Sequence, residues 1–331
     1  MSNANLRTAW ETKNDEFYTL YEDIEREVMH YTNDLEGKIV YCPCDNPEWS
    51  NFWKFFVDNF HALKLKKLIS TYYDDSIPTG ISSFCEDFDK CVYKTVYDGT
   101  YIIKSPLSGN GDFRSSECLK VLKECDVVVT NPPFSLFREM MSILQENEKD
   151  FLLVGNQNDF TLRDIFPLLR DRKVRLGYNY GSFSFTVPNS DEMKKFGCIC
   201  WYTSFEVTSP QSLPLTKEYD PKINIKYENY DAINVDRLAD IPYNYDGVMG
   251  VPITFFYKWN PDQFVVIDCS KCVGCNLKDA IQWGTGKKVP SGKINLYRRY
   301  IPEYDKHPSF TNDGIDYIHV FGRIFIKRNN V

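Results

Sequence analysis

The sequence has 331 residues, of which 43% are hydrophobic, 26% charged and 15% aromatic, enough to bury one large core or two modest ones and too apolar for a disordered chain. Mean hydropathy is −0.42 and no apolar run nears the roughly 18 residues that a membrane span needs, which excludes a helical membrane protein. A net charge of −7 and a pI near 5.3 exclude a protein that coats nucleic acid by bulk attraction.

In chain order, Phe17, Tyr21, Ile24, Val28 and Tyr31 recur at helical spacing behind a Thr19–Glu22 capping box, so a helix is expected there. KIVYC (38–42) reads as a buried strand. Asn46-Pro47 is expected to open a helix with Phe52, Phe55, Phe56 and Phe60 on one face. KLISTYY (67–73) is a second strand, residues 115–125 a short helix, and DVVVT (126–130) a continuous apolar strand. Ser135 is expected to cap a helix carrying Phe137, Met140, Met141 and Leu144. FLLVG (151–155), a helix from about Thr161, VRLG (174–177) and CICWYT (198–203) follow. Alternation of this kind predicts an α/β fold with a mostly parallel sheet covered on both faces, binding its ligand at the carboxyl ends of the strands.

After residue 205 the texture turns Pro-, Tyr- and Asn-rich, with short strands such as VPITFFYKW (251–259). Two domains are therefore expected, residues 1–205 and 206–331, the second of α+β type. Charge follows the same division. Residues 271–331 carry 11 Lys/Arg against 5 Asp/Glu, a net of +6 that leaves −13 for residues 1–270; a basic tail fits phosphate contact as well as it fits a solvated face. The opening MSNANLRTAWETKNDEF has no apolar export segment, so a cytoplasmic protein is expected, with its 11 cysteines as reduced thiols or ligands rather than disulfides.

The chemistry concentrates at Asn131-Pro132-Pro133-Phe134, directly after the apolar strand. Two prolines fix two φ angles, hold Asn131 extended and remove two N–H donors. The tip then offers acceptors, the Asn131 side-chain oxygen and the Pro132 carbonyl, to a group with two hydrogens to give. Phe134 offers a ring for a base to stack on. An exocyclic amino group on an aromatic ring is a poor nucleophile because its lone pair is delocalised. Two neutral acceptors can draw it toward sp3 geometry and steady the charge that builds on it, without burying an unpaired carboxylate. The bland alternative is a strand that ends in a Pro-Pro turn.

These residues resemble the EcoRI-type DNA adenine N6-methyltransferases, within the wider class marked by Asn/Asp-Pro-Pro-Phe/Tyr. The resemblance also includes DEFYTLYEDIE (15–25), VYCPCDNPEWSNFWKFF (40–56), LKKLIS (65–70), GDFRSSE (111–117), DVVVTNPPFSLFRE (126–139) and NYDAINV…DIP…YDGVMGVPITF (229–255), in one order over roughly residues 13–265. It implies a Rossmann-like methyltransferase sheet with a C-terminal target-recognition region, S-adenosylmethionine as donor, and a duplex-DNA adenine flipped out of the stack. Asn131, Pro132, Pro133 and Phe134 would be catalytic. Phe17, Tyr18, Thr19, Asp45, Tyr72, Asp112, Phe113 and Asn131 would hold the donor, with Asp112 accepting from its adenine amino group. The turn after the first strand, CPCDNPEWSNF, has no glycine; this departs from the wider class and suits a donor with no pyrophosphate to cradle.

Arg138, Lys287, Lys288, Lys293, Arg298 and Arg299 are the expected phosphate contacts, interleaved with Trp283, Tyr297, Tyr300 and Phe321. Cys269, Cys272 and Cys275 make C-x2-C-x2-C, one thiolate short of a structural zinc site, and no metal is expected in the transfer. A monomer is expected, with a cognate restriction endonuclease as a natural partner. The alternatives left open are adenine in RNA or a protein amide as substrate, a non-catalytic DNA-binding relative, and a redox or metal-sensing switch at the cysteines.

Overall fold

A computed structural model describes residues 18–76, 91–186, 193–273, 280–281, 288–289, 296–312, 314–320 and 322–329. The chain divides into two compact units, residues 1–156 with 174–207, and residues 157–173 with 208–331. The excursion at 157–173 is something that a single cut at 205 does not describe.

The first unit holds nine strands: β1 (Tyr18–Thr19), β2 (Ile39–Cys42), β3 (Lys67–Ser70), β4 (Tyr93–Tyr97), β5 (Ile102–Pro106), β6 (Val127–Thr130), β7 (Asp150–Asn156), β8 (Arg175–Thr186) and β9 (Met193–Thr203). They form one sheet in the order β1-β8-β9-β7-β6-β2-β3-β4-β5. Only the central strands β7, β6, β2 and β3 are parallel. Antiparallel pairs flank them on both sides, so the expected mostly parallel sheet is a mixed one, Rossmann-like at its centre. The missed hairpin β4–β5 turns at Asp98-Gly99, where Gly99 has φ +94 and Asp98 Oδ1 accepts from the N–H groups of Thr100 and Tyr101, both at 2.8 Å. Asp-Gly between two β-rich runs is a hairpin signal.

The principal helices of this unit are α1 (Tyr21–Val28), α2 (Asn51–Asp58), α3 (Ser116–Glu124) and α4 (Phe137–Glu146). Their starts correct three expectations. No capping box opens α1, because Thr19 lies in β1 opposite Phe185 and the N-cap is Leu20. The second helix begins at Asn51 rather than Pro47, since Ser50 is the residue whose hydroxyl accepts from Phe52 N and Trp53 N. Ser135 sits inside a 3-10 turn, Phe134–Leu136, and the N-cap of the helix that follows is Leu136.

Periodicity explains what each element buries. Phe52, Phe55, Phe56 and Phe60 enter the core beside Val127, Val129, Leu152 and Trp201, and loss of one such ring costs about 3–5 kcal/mol. All four residues of β6 are buried, as a strand covered on both faces requires.

The second unit contains α5 (Phe166–Arg170), which stands in place of the helix expected from Thr161, and a sheet ordered β10-β11-β18-β12, from Ile233–Asn234, Met249–Pro252, Arg323–Arg328 and Phe264–Cys269. Residues Ile253–Lys258 form a 3-10 helix, so VPITFFYKW is a strand only at its start. A short helix, α6 (Ser270–Val273), follows β12. Two-residue strands β13 (Ala280–Ile281) and β14 (Lys288–Val289) pair, and β15 (Leu296–Arg299), β17 (Ile315–Val320) and β16 (Phe310–Asn312) form a second sheet. Tyr227, Ala232, Leu296, Val320 and Phe325 pack between these elements.

Cys42, Cys44, Cys118, Cys125, Cys198, Cys200, Cys269 and Cys272 are free thiols. Cys91 is disulfide-bonded, which corrects the expectation of reduced thiols for that residue; pairing is set by proximity in the fold, which composition does not encode. Among the described residues no helix is long and apolar enough to cross a membrane.

Candidate active site

After β2 the chain passes to β3 on one side, then returns to place β6 on the other. Loops at the carboxyl ends of these three strands therefore diverge, and α/β proteins bind ligands in the crevice this leaves. A cavity of about 480 Å3 lies there, within the roughly 300–1,000 Å3 typical of ligand sites. Pro43, Cys44, Asn46 and Trp49 wall it after β2, Tyr72 and Tyr73 after β3, and Pro133, Ser135 and Leu136 after β6. Gly111, Asp112, Phe113 and Arg114 close another side, and Tyr18 reaches in from β1.

Local chemistry shapes each wall. Asn46 Oδ1 accepts from Glu48 N at 2.9 Å, which tightens the glycine-free turn. Trp49, half exposed, meets the Tyr72 ring edge-on at 6.3 Å. Gly111 has φ +76, and a Cβ there would come within 1.8 Å of the Tyr72 carbonyl oxygen. Only glycine allows that approach, by which the 111–114 turn is brought against β3. Asp112 Oδ1 accepts from Arg114 N at 2.8 Å, and the Arg114 guanidinium binds both carboxylate oxygens while reaching Glu139 at 2.8 Å. Arg114 beside it holds the Asp112 carboxyl below the usual range.

Of the residues expected at the donor, Tyr18, Tyr72, Asp112 and Phe113 line the cavity, as does Pro133 of the tetrapeptide. Phe17 lies outside the described residues. Thr19 is buried and is not among the wall residues; its backbone carbonyl accepts from Asn51 Nδ2 at 2.9 Å. Asp45 is not in the wall. Its carboxylate is buried, accepting from Ser50 Oγ and Thr130 Oγ1, each at 2.7 Å, so it braces the strand ends.

Pro132 is buried and Asn131 half-buried, its Oδ1 shielded from solvent. Half-buried Phe134 packs edge-on against Phe185 at 6.5 Å. Asn46, Trp49 and Gly111 add to the wall beyond the expected residues; the Asn110-Gly111-Asp112 run is the turn signal in the sequence that marks the last of them.

The expected phosphate contacts fare unequally. Arg138 is exposed in the first turn of α4. Lys287 and Lys293 lie outside the described residues, and Lys288 begins β14. Arg298 is a correction: it is 6% exposed and forms a bidentate pair with Asp305, both contacts at 2.8 Å. A guanidinium that is turned inward onto a carboxylate and barely exposed is withheld from a phosphate at the surface. Arg299 is exposed and paired with Glu228 at 3.1 Å.

A parallel sheet centre with a ligand-sized, aromatic cavity where its strand order reverses, walled in part by Pro133 of the Asn-Pro-Pro-Phe tip, fits the Rossmann-like class of methyltransferases. The comparison with known families narrows this. The family model for the adenine-specific methyltransferase EcoRI matches residues 5–329, and the chain belongs to that family. It is 41% identical over 306 residues to the type II methyltransferase M.EcoRI of Escherichia coli, covering 84% of this chain and 92% of the relative. It is 37% identical to M.MpnI of Mycoplasma pneumoniae, over 79% of this chain and 84% of that one. With M.MgeORF184P of Mycoplasma genitalium it shares 33% identity over 90% and 96% of the two chains. No solved structure matches the chain significantly.

Proposed function

We propose that this methyltransferase acts at N6 of one adenine in a specific duplex-DNA sequence, with S-adenosylmethionine as donor, as the type II relatives' names and the family's adenine specificity suggest. The observation that carries the reading is that Pro133 of the Asn-Pro-Pro-Phe tip walls the same cavity as Asp112 and Phe113. The donor has an adenosyl group and no phosphates, and the cavity suits it: aromatic rings, one carboxylate kept ionised by Arg114, and no glycine-rich cradle.

When bound, S-adenosylmethionine supplies an electrophilic methyl group on a sulfonium. Asp112 accepts from its adenine amino group, Phe113 packs on that ring, and Tyr18 offers a ring to the positive sulfonium. Tyr72 stands beside the ribose. On the target side, Asn131 Oδ1 and the Pro132 carbonyl accept from the two N6 hydrogens, turning the nitrogen lone pair toward the methyl group. Rotating the base out of the duplex costs a few kcal/mol, which stacking on Phe134 offsets by about 1–3 kcal/mol. The exposed Arg138 and the basic residues of 271–331 are assigned to the DNA backbone, with Arg298 removed from that set.

Asn131→Ala tests the reading. Methylation of duplex DNA is expected to vanish while calorimetric binding of S-adenosylmethionine stays near wild type. Retained methylation would remove the clamp, and preference for RNA in a competition assay would remove the substrate.

A further inference from the structure

The second unit contains a cluster that methyl transfer leaves unused. Asp268 and Cys269 end β12, and Cys272 lies in α6. Their carboxylate oxygen and two Sγ atoms lie within 4.8 Å of one another. The turn that joins them carries a further signature: Cys272 N donates to Cys269 Sγ at 3.3 Å. An amide aimed at the first sulfur of a Cys-x-x-Cys turn orients that sulfur, as outer hydrogen-bond donors do around metal-bound ligands. Cys269 N donates to Asp268 Oδ1 at 2.7 Å, which holds the carboxylate beside the thiols.

We propose that Asp268, Cys269 and Cys272 bind a soft divalent cation, zinc, within this unit. Two sulfurs about 2.3 Å from a tetrahedral zinc stand about 3.8 Å apart, so the observed cluster needs to contract by an ångström or less. Thiolates select zinc over harder cations, and a carboxylate completes a three-ligand set whose fourth position is left to solvent. Binding converts two thiols to thiolates and releases two protons to water. The complex then carries a net charge of about −1, and Arg163 and Arg170 are close enough to Cys272 to act on it electrostatically. Cys269 Sγ lies 3.5 Å from the Thr161 carbonyl, so the cation fastens the end of β12 beside the 157–173 segment. Cys275 lies outside the described residues and is not counted among the ligands.

The test uses the full chain, reduced and stripped of metal. One equivalent of cobalt(II) is expected to give near-ultraviolet thiolate-to-cobalt absorption with tetrahedral visible bands, and zinc to displace it. C269S and C272S each lose that absorption, and D268N weakens binding by about tenfold. One equivalent of zinc slows alkylation of Cys272 in the wild-type chain by at least about tenfold, followed by peptide mass spectrometry, a readout that does not depend on any variant folding. The site is overturned if cobalt gives no thiolate absorption, if C269S/C272S retains it, or if Cys272 alkylates equally fast with zinc. A Cys269–Cys272 disulfide that forms in air with no cobalt uptake after reduction also overturns it.

Discussion

Thr130 Oγ1 donates to Asp45 Oδ2 at 2.7 Å, so the residue immediately before Asn131 is tied to the loop that follows β2. Ser50 Oγ holds the other carboxylate oxygen at 2.7 Å, and the Asp45 carbonyl accepts from Ser70 Oγ at the end of β3. One side chain and its own backbone thus join the carboxyl ends of β2, β3 and β6. The cavity and the Asn-Pro-Pro-Phe tip share that brace.

Asp45 makes stability depend on pH. Burial pushes its carboxyl up from 3.8 to about 6, with the Ser50 and Thr130 hydroxyls pulling the other way. The folded chain holds the proton more tightly than the unfolded one, so this group adds stability as pH falls from about 6 toward 3.8 and withdraws it above about 6. In Asp45→Asn the titration is gone. The gap in unfolding free energy between wild type and variant should change by about 2 kcal/mol between roughly pH 7 and pH 4, read from urea curves. A pH-independent gap would contradict the assignment.

Gly111 tests how the cavity is held open. Gly111→Ala places a Cβ 1.8 Å from the Tyr72 carbonyl oxygen and 2.7 Å from Val92 Cγ1, at φ +76. Backbone cannot yield as a flexible side chain does, so the 111–114 turn must move away from β3. S-adenosylmethionine binding should weaken by at least about tenfold, near 1.4 kcal/mol, in calorimetry. Wild-type affinity in a folded variant would show that the turn does not define the donor cavity.

These two residues mark the limit of what the sequence discloses. The apolar run of β6, the aromatic stripe of α2 and the Asn-Pro-Pro-Phe tip were legible because each is a local pattern with one physical meaning. Helix starts were less so: Pro47 and Ser50 both suit a helix start, and the hydroxyl that reaches two amides decides between them. Antiparallel flanks were missed because alternation of strands and helices reports on crossovers and not on the edges of a sheet. Arg298 reads as a surface cation until Asp305, seven residues on, is seen to face it. Trp49 and Tyr73 meet at the cavity only because β2 and β3 are neighbours.

Glu27 sets the attachment of α1 to β8. It is fully buried, and it accepts from Tyr31 Oη at 2.8 Å, Tyr178 N at 2.9 Å, and both Asn179 N and Nδ2 at 2.8 Å. Burial raises its carboxyl above the ordinary value while these donors oppose the rise. Glu27→Ala strands the two amides and should cost about 3 kcal/mol, seen as a lower urea midpoint at constant slope. Gly177→Ala should act in the same direction, since its Cβ would meet Glu27 Oε1 at 2.0 Å. Unchanged midpoints in both variants would refute the attachment.

Arg298 separates a fold role from a DNA role. Its partner Asp305 also accepts from Ile301 N at 2.9 Å, and its guanidinium lies 3.8 Å from Asp236, so the pair pins the end of β15. Removing either member leaves the other charge, buried for Arg298 and mostly shielded for Asp305, without its close partner, so Arg298→Ala and Asp305→Ala should each cost about 3 kcal/mol. The two variants change net charge in opposite directions, and a phosphate contact would respond oppositely to them. Equal losses of stability in denaturant melts, with the salt slope of DNA binding unchanged in whatever fraction stays folded, are the expected outcome. Lys327 is exposed on β18, and its replacement by alanine should lower that slope by about 1 with little effect on stability. If Arg298→Ala lowered the slope while Asp305→Ala left stability intact, the guanidinium would belong to the nucleic-acid surface after all.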